Sequence, residues 1–352
     1  MIASGNEAAR YEAQRLAFSP LLFQACRVLR DEGLLEQLVR ARKRGLTVGE
    51  AVSGGGALEP YAASMLLEAG LAAGLCTFCD APPEPRFFAT PMGVYWLDDP
   101  LTRVNAEFAH HVCYLGATRL RESLLQGLPA GLASIDSTGA ATVYQALRTL
   151  PVGVQRAWFD FDHHYSDGVF ESALDEVFSQ PVAQLVDIGA NTGRLARLCL
   201  ERSDAKVLLV DLPQQLEVAR DALASYGPRV AYHPSDLLQE GGLPGGADVY
   251  WMSQFLDCFG EDEIRSILQR VQQAMRPDSR VFILETFWNR QRYDAARLCV
   301  IGTSLYFACI ANGRSRMYHS EVLKRLALEA GLTTVKEQEV GLAHSLLTLR
   351  RS

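Results

Sequence analysis

Apolar positions recur at helical spacing through most of the first hundred residues. The stretch "SPLLFQACRVLRDEGLLEQL" carries such a stripe, and "LTVGEAV" and "LEPYAASMLLEAGLAAGL" predict two short helices on either side of the turn "SGGGA". After the Pro-rich loop "DAPPEP", the stretch "RFFATPMGVYWL" reads as a small β-wing. Helix, turn, helix and wing together make a winged-helix pattern. From Leu101 to Glu176 the spacing stays helical, broken at "GLPAGLASIDSTGA" and near Pro151. From Pro181 the period changes. Short apolar runs ("AQLVDIG", "KVLLVDL", "RVAYH", "ADVYWMS", "RVFILETF") alternate with helical stretches such as "QQLEVARDALASY" and "EDEIRSILQRVQQAM". Strands alternating with helices predict a parallel, doubly wound α/β sheet. "TTVKEQEV" and "AHSLLTLRR" predict an antiparallel pair at its edge. The chain thus divides into a winged-helix-like region (1–100), a helical region (101–176) and an α/β domain (177–352).

Composition narrows the function. Of 352 residues, 48% are hydrophobic and 21% charged, enough apolar material for a buried core. The net charge of -7 argues against a nucleic-acid partner, because such affinity rests on Lys and Arg neutralising phosphates. The would-be recognition helix, Leu58 to Gly70, carries Glu59 and Glu68 and no cation, so the winged-helix unit reads as a structural or dimerisation element. No basic-then-apolar leader opens the chain, and "LCVIGTSLYFACI" (298–310) is too short to span a bilayer. It reads as a buried helix, and the expected location is the cytoplasm. Eight scattered cysteines with a single CxxC at Cys76 and Cys79 give neither a disulfide framework nor a zinc site.

"LVDIGANTGRLA" carries the chemistry. An apolar strand ends in Asp187, turns through Gly189 and enters a helix after Gly193, where backbone can approach a ligand closely. The next strand ends in Asp211, placed to accept hydrogen bonds from both hydroxyls of a ribose. Asp187 stands before the first glycine, where it would repel a pyrophosphate and suit a cationic, amino-acid-like ligand.

This turn resembles the cofactor motif of S-adenosylmethionine-dependent methyltransferases, and the resemblance extends over nearly the whole chain. A winged-helix dimerisation domain followed by a class I, Rossmann-like methyltransferase domain with a mostly parallel seven-stranded sheet is the layout of the small-molecule O-methyltransferases. "FDHHYSD", "LLVDLPQQLEVA" and "EIRSILQRVQQAMRPDSRVFILE" are similar to stretches of that family. The resemblance implies S-adenosyl-L-methionine as cofactor, with S-adenosyl-L-homocysteine as product. It implies cofactor contacts from Phe161, Tyr165, Ser166, Asp187, Gly189, Asn191, Gly193, Asp211 and Leu212. Asp236 and Leu237 fall near the adenine, and Ser253, Gln254 and Phe259 complete the set. It further implies a homodimer and a small aromatic acceptor, phenolic or of polyketide type, free or bound to a carrier protein.

One family feature is altered. Where the family has "LHDW", with His as base, this chain has "LDCF", which puts Asp257 at the base, Cys258 beside it and Phe259 at the Trp position. Glu285 keeps the family's supporting carboxylate, while the third acidic position falls near Ser315. An ordinary Asp, with a pKa of about 3.9, is a weak base for a phenol. Three readings stay open. Asp257 is raised by burial and Glu285; or a histidine serves as base, with His111 and His164 foremost among His110, His111, His163, His164 and His319; or the nucleophile is the ring carbon ortho to a phenol held by Asp257. The look of "WMSQFLDCF", "FDHHYSD" and "RQRY" is similar to methyltransferases of aryl-polyene and flexirubin-type pigment clusters. Phe255, Phe259, Trp288, Tyr306 and Met317 are candidates for an apolar acceptor pocket. Adjacent histidines on a helix face different ways, so no metal site is expected.

Overall fold

The computed structural model describes residues 5–53, 58–80, 84–166, 168–239 and 241–352. The glycine turn (54–57), part of the Pro-rich loop (81–83) and Asp167 lie outside the described residues. The chain divides into two units, Met1–Ala109 and His110–Ser352.

In the first unit, α1 (Gly5–Asp31) and α2 (Leu34–Ala41) are separated at Gly33, whose φ of 76° a side chain would resist. α3 (Val48–Ser53) and α4 (Pro60–Ala73) follow. They enclose a small core of Leu29, Leu35, Leu38, Leu67, Leu75 and Phe87. The wing is narrower than the apolar pattern suggests. It consists of β1 (Cys76–Cys79) paired antiparallel with β2 (Arg86–Ala89), while the second half of "RFFATPMGVYWL" is helix α5 (Pro91–Asp98). Thr90 caps that helix by accepting from the Gly93 N–H, and Pro91 sits in its first turn, where a missing N–H costs nothing. α6 (Pro100–Phe108) also belongs to this unit. Arg27 and Arg30 of α1 both pair with Glu107, which ties α6 to the first helix.

The second unit begins with α7 (Leu120–Gln126), α8 (Val143–Ala146), α9 (Val152–Ser166) and α10 (Phe170–Val177). It then alternates β3 (Gln184–Ile188), α11 (Arg194–Arg202), β4 (Lys206–Asp211), α12 (Pro213–Leu223), β5 (Val230–Pro234), β6 (Val249–Ser253), α13 (Glu261–Ala274) and β7 (Arg280–Glu285). α14 (Asp294–Tyr306), α15 (Ser320–Glu329), β8 (Leu332–Val340) and β9 (His344–Arg351) complete it. The seven strands lie in the order β5-β4-β3-β6-β7-β9-β8, with β5 to β7 parallel and β9 antiparallel to both β7 and β8. Every residue of β7 is buried, as a strand covered on both faces requires. Strand order reverses between β3 and β6, and open α/β sheets hold ligands at the C-terminal end of such a switch point.

α14 departs from the buried helix read from its composition. Val300, Tyr306 and Phe307 are buried, but Leu298, Ile301 and Leu305 face outward. A π-helical turn, Phe307–Ala311, extends it. By length and composition this Asp294–Ala311 segment is apolar enough to cross a membrane, with mean hydropathy 1.4 over 18 residues. The stretch 298–310 alone is too short, but helix α14 starts four residues earlier, at Asp294, and the chain stays helical to Ala311.

Candidate active site

The end of β3 and the turn after it are built by conformation. Gly189 and Gly193 have φ of 76° and 78°, and Asn191 adopts 47°. A Cβ on Gly189 would meet the Phe255 ring at 2.2 Å, so only glycine allows the turn to lie against that ring. Gly193 precedes α11 and leaves no room before Leu223 and Ala219. Asp211, at the end of β4, accepts the Asn191 N–H at 2.7 Å and the Leu212 N–H at 2.7 Å, one on each carboxylate oxygen. A carboxylate has about four acceptor positions, so both oxygens keep capacity for a diol. Asp187 is 2% exposed, and its Oδ2 has no hydrogen-bond partner. Burial, followed by the charge of Asp211, pushes its carboxyl up to about 8. Ser253 Oγ and Gln254 Nε2, at the end of β6, are likewise buried without partners, and Gln254 holds a φ of 45°.

These orphaned groups fit a ligand with a cationic amino-acid end and a ribose. Asp187 would face the ammonium, Asp211 the ribose hydroxyls, and Ser253 and Gln254 the remaining polar atoms. When bound, S-adenosylmethionine supplies an electrophilic methyl group on a sulfonium. Of the other expected contacts, Phe161 and Tyr165 stack along α9 with centroids 4.8 Å apart, and Ser166 is the last residue of that helix. Asp236 is exposed and caps its own loop through the Leu238 N–H, whereas Leu237 is buried. Phe259 stacks edge-on against Phe255 at 4.8 Å, which extends the wall of the Gly189 turn.

The adjacent strand ends are chemically different. After β6 a tight 3-10 turn, Leu256–Cys258, carries Asp257, which is 7% exposed. Its Oδ1 accepts the Cys258 thiol, at 3.5 Å. Burial raises its carboxyl to about 7, the thiol contact lowers it, and the charge of Asp162 raises it again. Glu285, at the end of β7, uses Oε1 to accept the Phe255 and Leu256 N–H groups at 3.1 and 2.9 Å. Its Oε2 has no partner. Burial, and then the charge of Asp257, hold Glu285 well above the usual carboxylate range. Asp257 and Glu285 border one small apolar void with Leu256, Thr286, Phe287, Tyr318 and Leu323. Two carboxyls that repel in a dry site retain a proton between them and titrate as a unit.

Several neighbours carry no sequence signal of their own. Trp158 of α9 donates to the Tyr306 hydroxyl at 2.7 Å, and Asp162 lies one turn further on the same helix face. The Tyr144 hydroxyl, beside Cys258 and Tyr306, is raised mainly by burial. Asn312 donates to the Cys258 carbonyl at 2.7 Å and to Ser315 Oγ at 2.8 Å, so the position of the family's third acid is a buried serine fixed by an amide. His344, first residue of β9, is buried next to the Ser345 that pairs with Glu285, and burial lowers it to about 4.

His164 is exposed on α9. His319 caps α15 by accepting the Glu321 N–H, and its ring packs on Trp288. His110 and His111 stack on each other in the π-helical turn Ala109–Cys113, with His111 half-buried beside Gly153 of α9. Tyr306 and Met317 are buried pocket candidates. Among the described residues no group of His, Cys, Asp and Glu is arranged to hold a metal.

Comparison with known proteins agrees with this geometry. An O-methyltransferase domain model matches residues 155–333, and a Dimerisation2-like domain model matches residues 10–82. The chain is 31% identical to a 3-amino-4-hydroxybenzoate 4-O-methyltransferase of Streptomyces cremeus over 144 residues, covering 38% of this chain and 39% of that one. It is 26% identical to an acetylserotonin O-methyltransferase of Gallus gallus over 145 residues, 41% of each. These alignments span about two fifths of the relatives' length. The fold is that of the S-adenosylmethionine-dependent methyltransferase SibL, with a TM-score of 0.69 at 24% identity over 96% of this chain and 98% of that one. Half of its length matching the family's domain, with the cofactor turn and both strand-end carboxylates in place, the chain belongs to the O-methyltransferase domain family of S-adenosylmethionine-dependent enzymes.

Proposed function

We propose that this chain transfers a methyl group from S-adenosylmethionine to the hydroxyl of a small aromatic acceptor. The observation that carries the reading is the Asp257–Glu285 pair, buried at the strand ends next to the cofactor crevice. The acceptor hydroxyl gives its proton to Asp257 as its oxygen bonds to the methyl carbon and the carbon–sulfur bond breaks. A carboxyl raised to about 7 is a far better base than an ordinary Asp. Glu285 positions it by bracing the backbone at Phe255 and Leu256, and aromatic walls exclude water, so alignment supplies much of the rate.

Two relatives named above act on aromatic hydroxyls, which supports this acceptor class. The finer reading is a polyketide- or polyene-type phenol, free or carrier-bound, as the likeness to pigment-cluster enzymes suggests. Ring C-methylation is the second reading, because Asp257 replaces the family's histidine: a phenol held by Asp257 is nucleophilic at its ortho carbon. A homodimer completes the proposal, supported by the dimerisation-like match and by Tyr11, Leu16, Phe18 and Leu21 exposed on α1. Mass spectrometry of the product from a 4-hydroxyphenyl acceptor tests the transfer. A methyl removed by ether cleavage is on oxygen, one that survives is on carbon, and absence of any methylated product with cofactor bound defeats the proposal.

A further inference from the structure

The turn that carries Asp257 is held at both of its ends. On the amide side, Glu285 Oε1 takes the Phe255 and Leu256 N–H groups. On the carbonyl side, two side chains from one other segment, 312–318, reach consecutive peptide groups. Asn312 Nδ2 donates to the Cys258 carbonyl and the Tyr318 hydroxyl to the Phe259 carbonyl, each at 2.7 Å. Asp257 stands between these supports, one residue after the last braced N–H and one before the first braced carbonyl. Asn312 is itself held in one orientation. Its Oδ1 accepts the Arg314 and Ser315 N–H groups at 2.9 and 3.0 Å, and Nδ2 also donates to Ser315 Oγ at 2.8 Å. Both donor and both acceptor positions of the amide are thereby used, and its nitrogen has to face the Cys258 carbonyl. The segment is wedged as well. Gly313 has a φ of 83°, and a Cβ there would meet the Leu128 backbone at 2.5 Å. Arg314 Nε donates to the Gly127 carbonyl at 3.3 Å.

A general base works only when it is aimed at the proton it takes, and a misplacement of about 1 Å can cost roughly 100-fold in rate. The Asp257 side chain accepts the thiol of its neighbour and, among the described residues, is hydrogen-bonded to no distant segment. Its aim therefore comes from the backbone. The turn closes on two hydrogen bonds of its own, Cys258 N–H to Phe255 and Phe259 N–H to Leu256, both at 3.1 Å. Such 3-10 bonds are poorly aligned, so outside support decides the shape. Bracing at the entry alone would leave the peptide after Asp257 able to rotate. We infer that Asn312 and Tyr318 are positioning residues for methyl transfer, fixing the Cys258 and Phe259 peptides and so the direction in which the Asp257 carboxyl points. This rests on the reading of Asp257 as the base. Both residues act through the turn, so their effect on the rate exists only while Asp257 has a proton to take.

A double-mutant cycle on the full chain tests this. Asn312→Ala, Asn312→Asp and Tyr318→Phe are each made alone and together with Asp257→Asn. Asn312→Asp keeps the size and both N–H bonds but turns an oxygen toward the Cys258 carbonyl. The acceptor is whichever of 4-hydroxybenzoate, 4-hydroxycinnamate and catechol the wild type methylates fastest. With Asp257 in place, both Asn312 variants should lower kcat roughly 10- to 100-fold, and Tyr318→Phe less. KM and the calorimetric affinity for S-adenosylmethionine should hold. In the Asp257→Asn background the same changes should cost less than about twofold, because groups that act through one residue are not additive. A loss of equal size in both backgrounds, or wild-type kcat in the Asn312 variants, overturns the inference and leaves the transfer reading standing. If the Asn312 variants do not fold, Tyr318→Phe decides by the same cycle. Full activity of Asp257→Asn, or no product from any of the three phenols, defeats the reading of Asp257 as base, and the inference falls with it.

Discussion

The two halves of one sheet edge handle buried carboxylates in opposite ways. At β3 and β4, Asp211 is held by two backbone N–H groups, and Asp187 stands alone near a turn that only glycine can make. At β6 and β7, Asp257 and Glu285 are buried together at the strand ends, and the charge of Asp257 helps raise Glu285. The first arrangement is a rigid cradle for a ligand of fixed shape. The second is a site of stored electrostatic tension that a changeable acceptor relieves. Binding and chemistry should therefore separate cleanly between the halves.

The largest break comes from Asp257→Asn, which keeps shape and removes the base. Turnover should fall by about 10² to 10⁴, the usual span for general base catalysis, while calorimetric affinity for S-adenosylmethionine stays as it was. Equal loss of both would mean the halves are one unit. Asp211→Ala should do the opposite. Losing hydrogen bonds to a charged acceptor costs about 1.5–3 kcal/mol, or roughly 10- to 100-fold in cofactor affinity, with kcat at saturating cofactor largely kept.

Acidity sharpens the contrast further. Asp187, at about 8, must ionise to hold an ammonium, so cofactor affinity should climb by up to about tenfold per pH unit until pH 8 and then level off. Asp187→Asn should flatten that profile. Stability runs the other way. Asp187, Asp257 and Glu285 are all raised by folding, so the native state binds more protons than the unfolded chain above about pH 4. The melting temperature of ligand-free protein should fall as pH rises through 7 and 8, and added cofactor should recover most at the upper end. The smallest effect is expected at His164, exposed on α9. His164→Ala should stay within about twofold of wild type, since exposed substitutions away from special features change little.

The cradle was readable from the chain because its physics is local. Glycines at Gly189 and Gly193 and acids at two strand ends are one-dimensional signals, and the alternation of β3 to β7 with helices follows from period alone. Only half of the expected wing is strand, since "PMGVYWL" is apolar enough for a strand and only the Thr90–Pro91 start marks a helix. The acceptor chamber was legible at Asp257 and Glu285 and not beyond. Tyr144 of α8, Trp158 and Asp162 of α9, and Asn312 come from three separate segments whose meeting depends on packing. Asp162 stands within a stretch that resembles the family, but nothing in its spacing says that its charge acts on Asp257.

Glu285 and Asp257 also differ in what would be lost with them. Glu285 splints the backbone of Phe255, whose ring is the wall against which Gly189 turns, so changing Glu285 disturbs both sites together. The Asp257 side chain accepts the thiol of its neighbour Cys258 and, among the described residues, is hydrogen-bonded to no distant segment. A position that braces no neighbour can exchange its chemistry in a single step while the scaffold and the cofactor site stay intact. Such a residue is where an enzyme can take up new acceptors, and an aspartate where the resemblance implies a histidine fits that freedom.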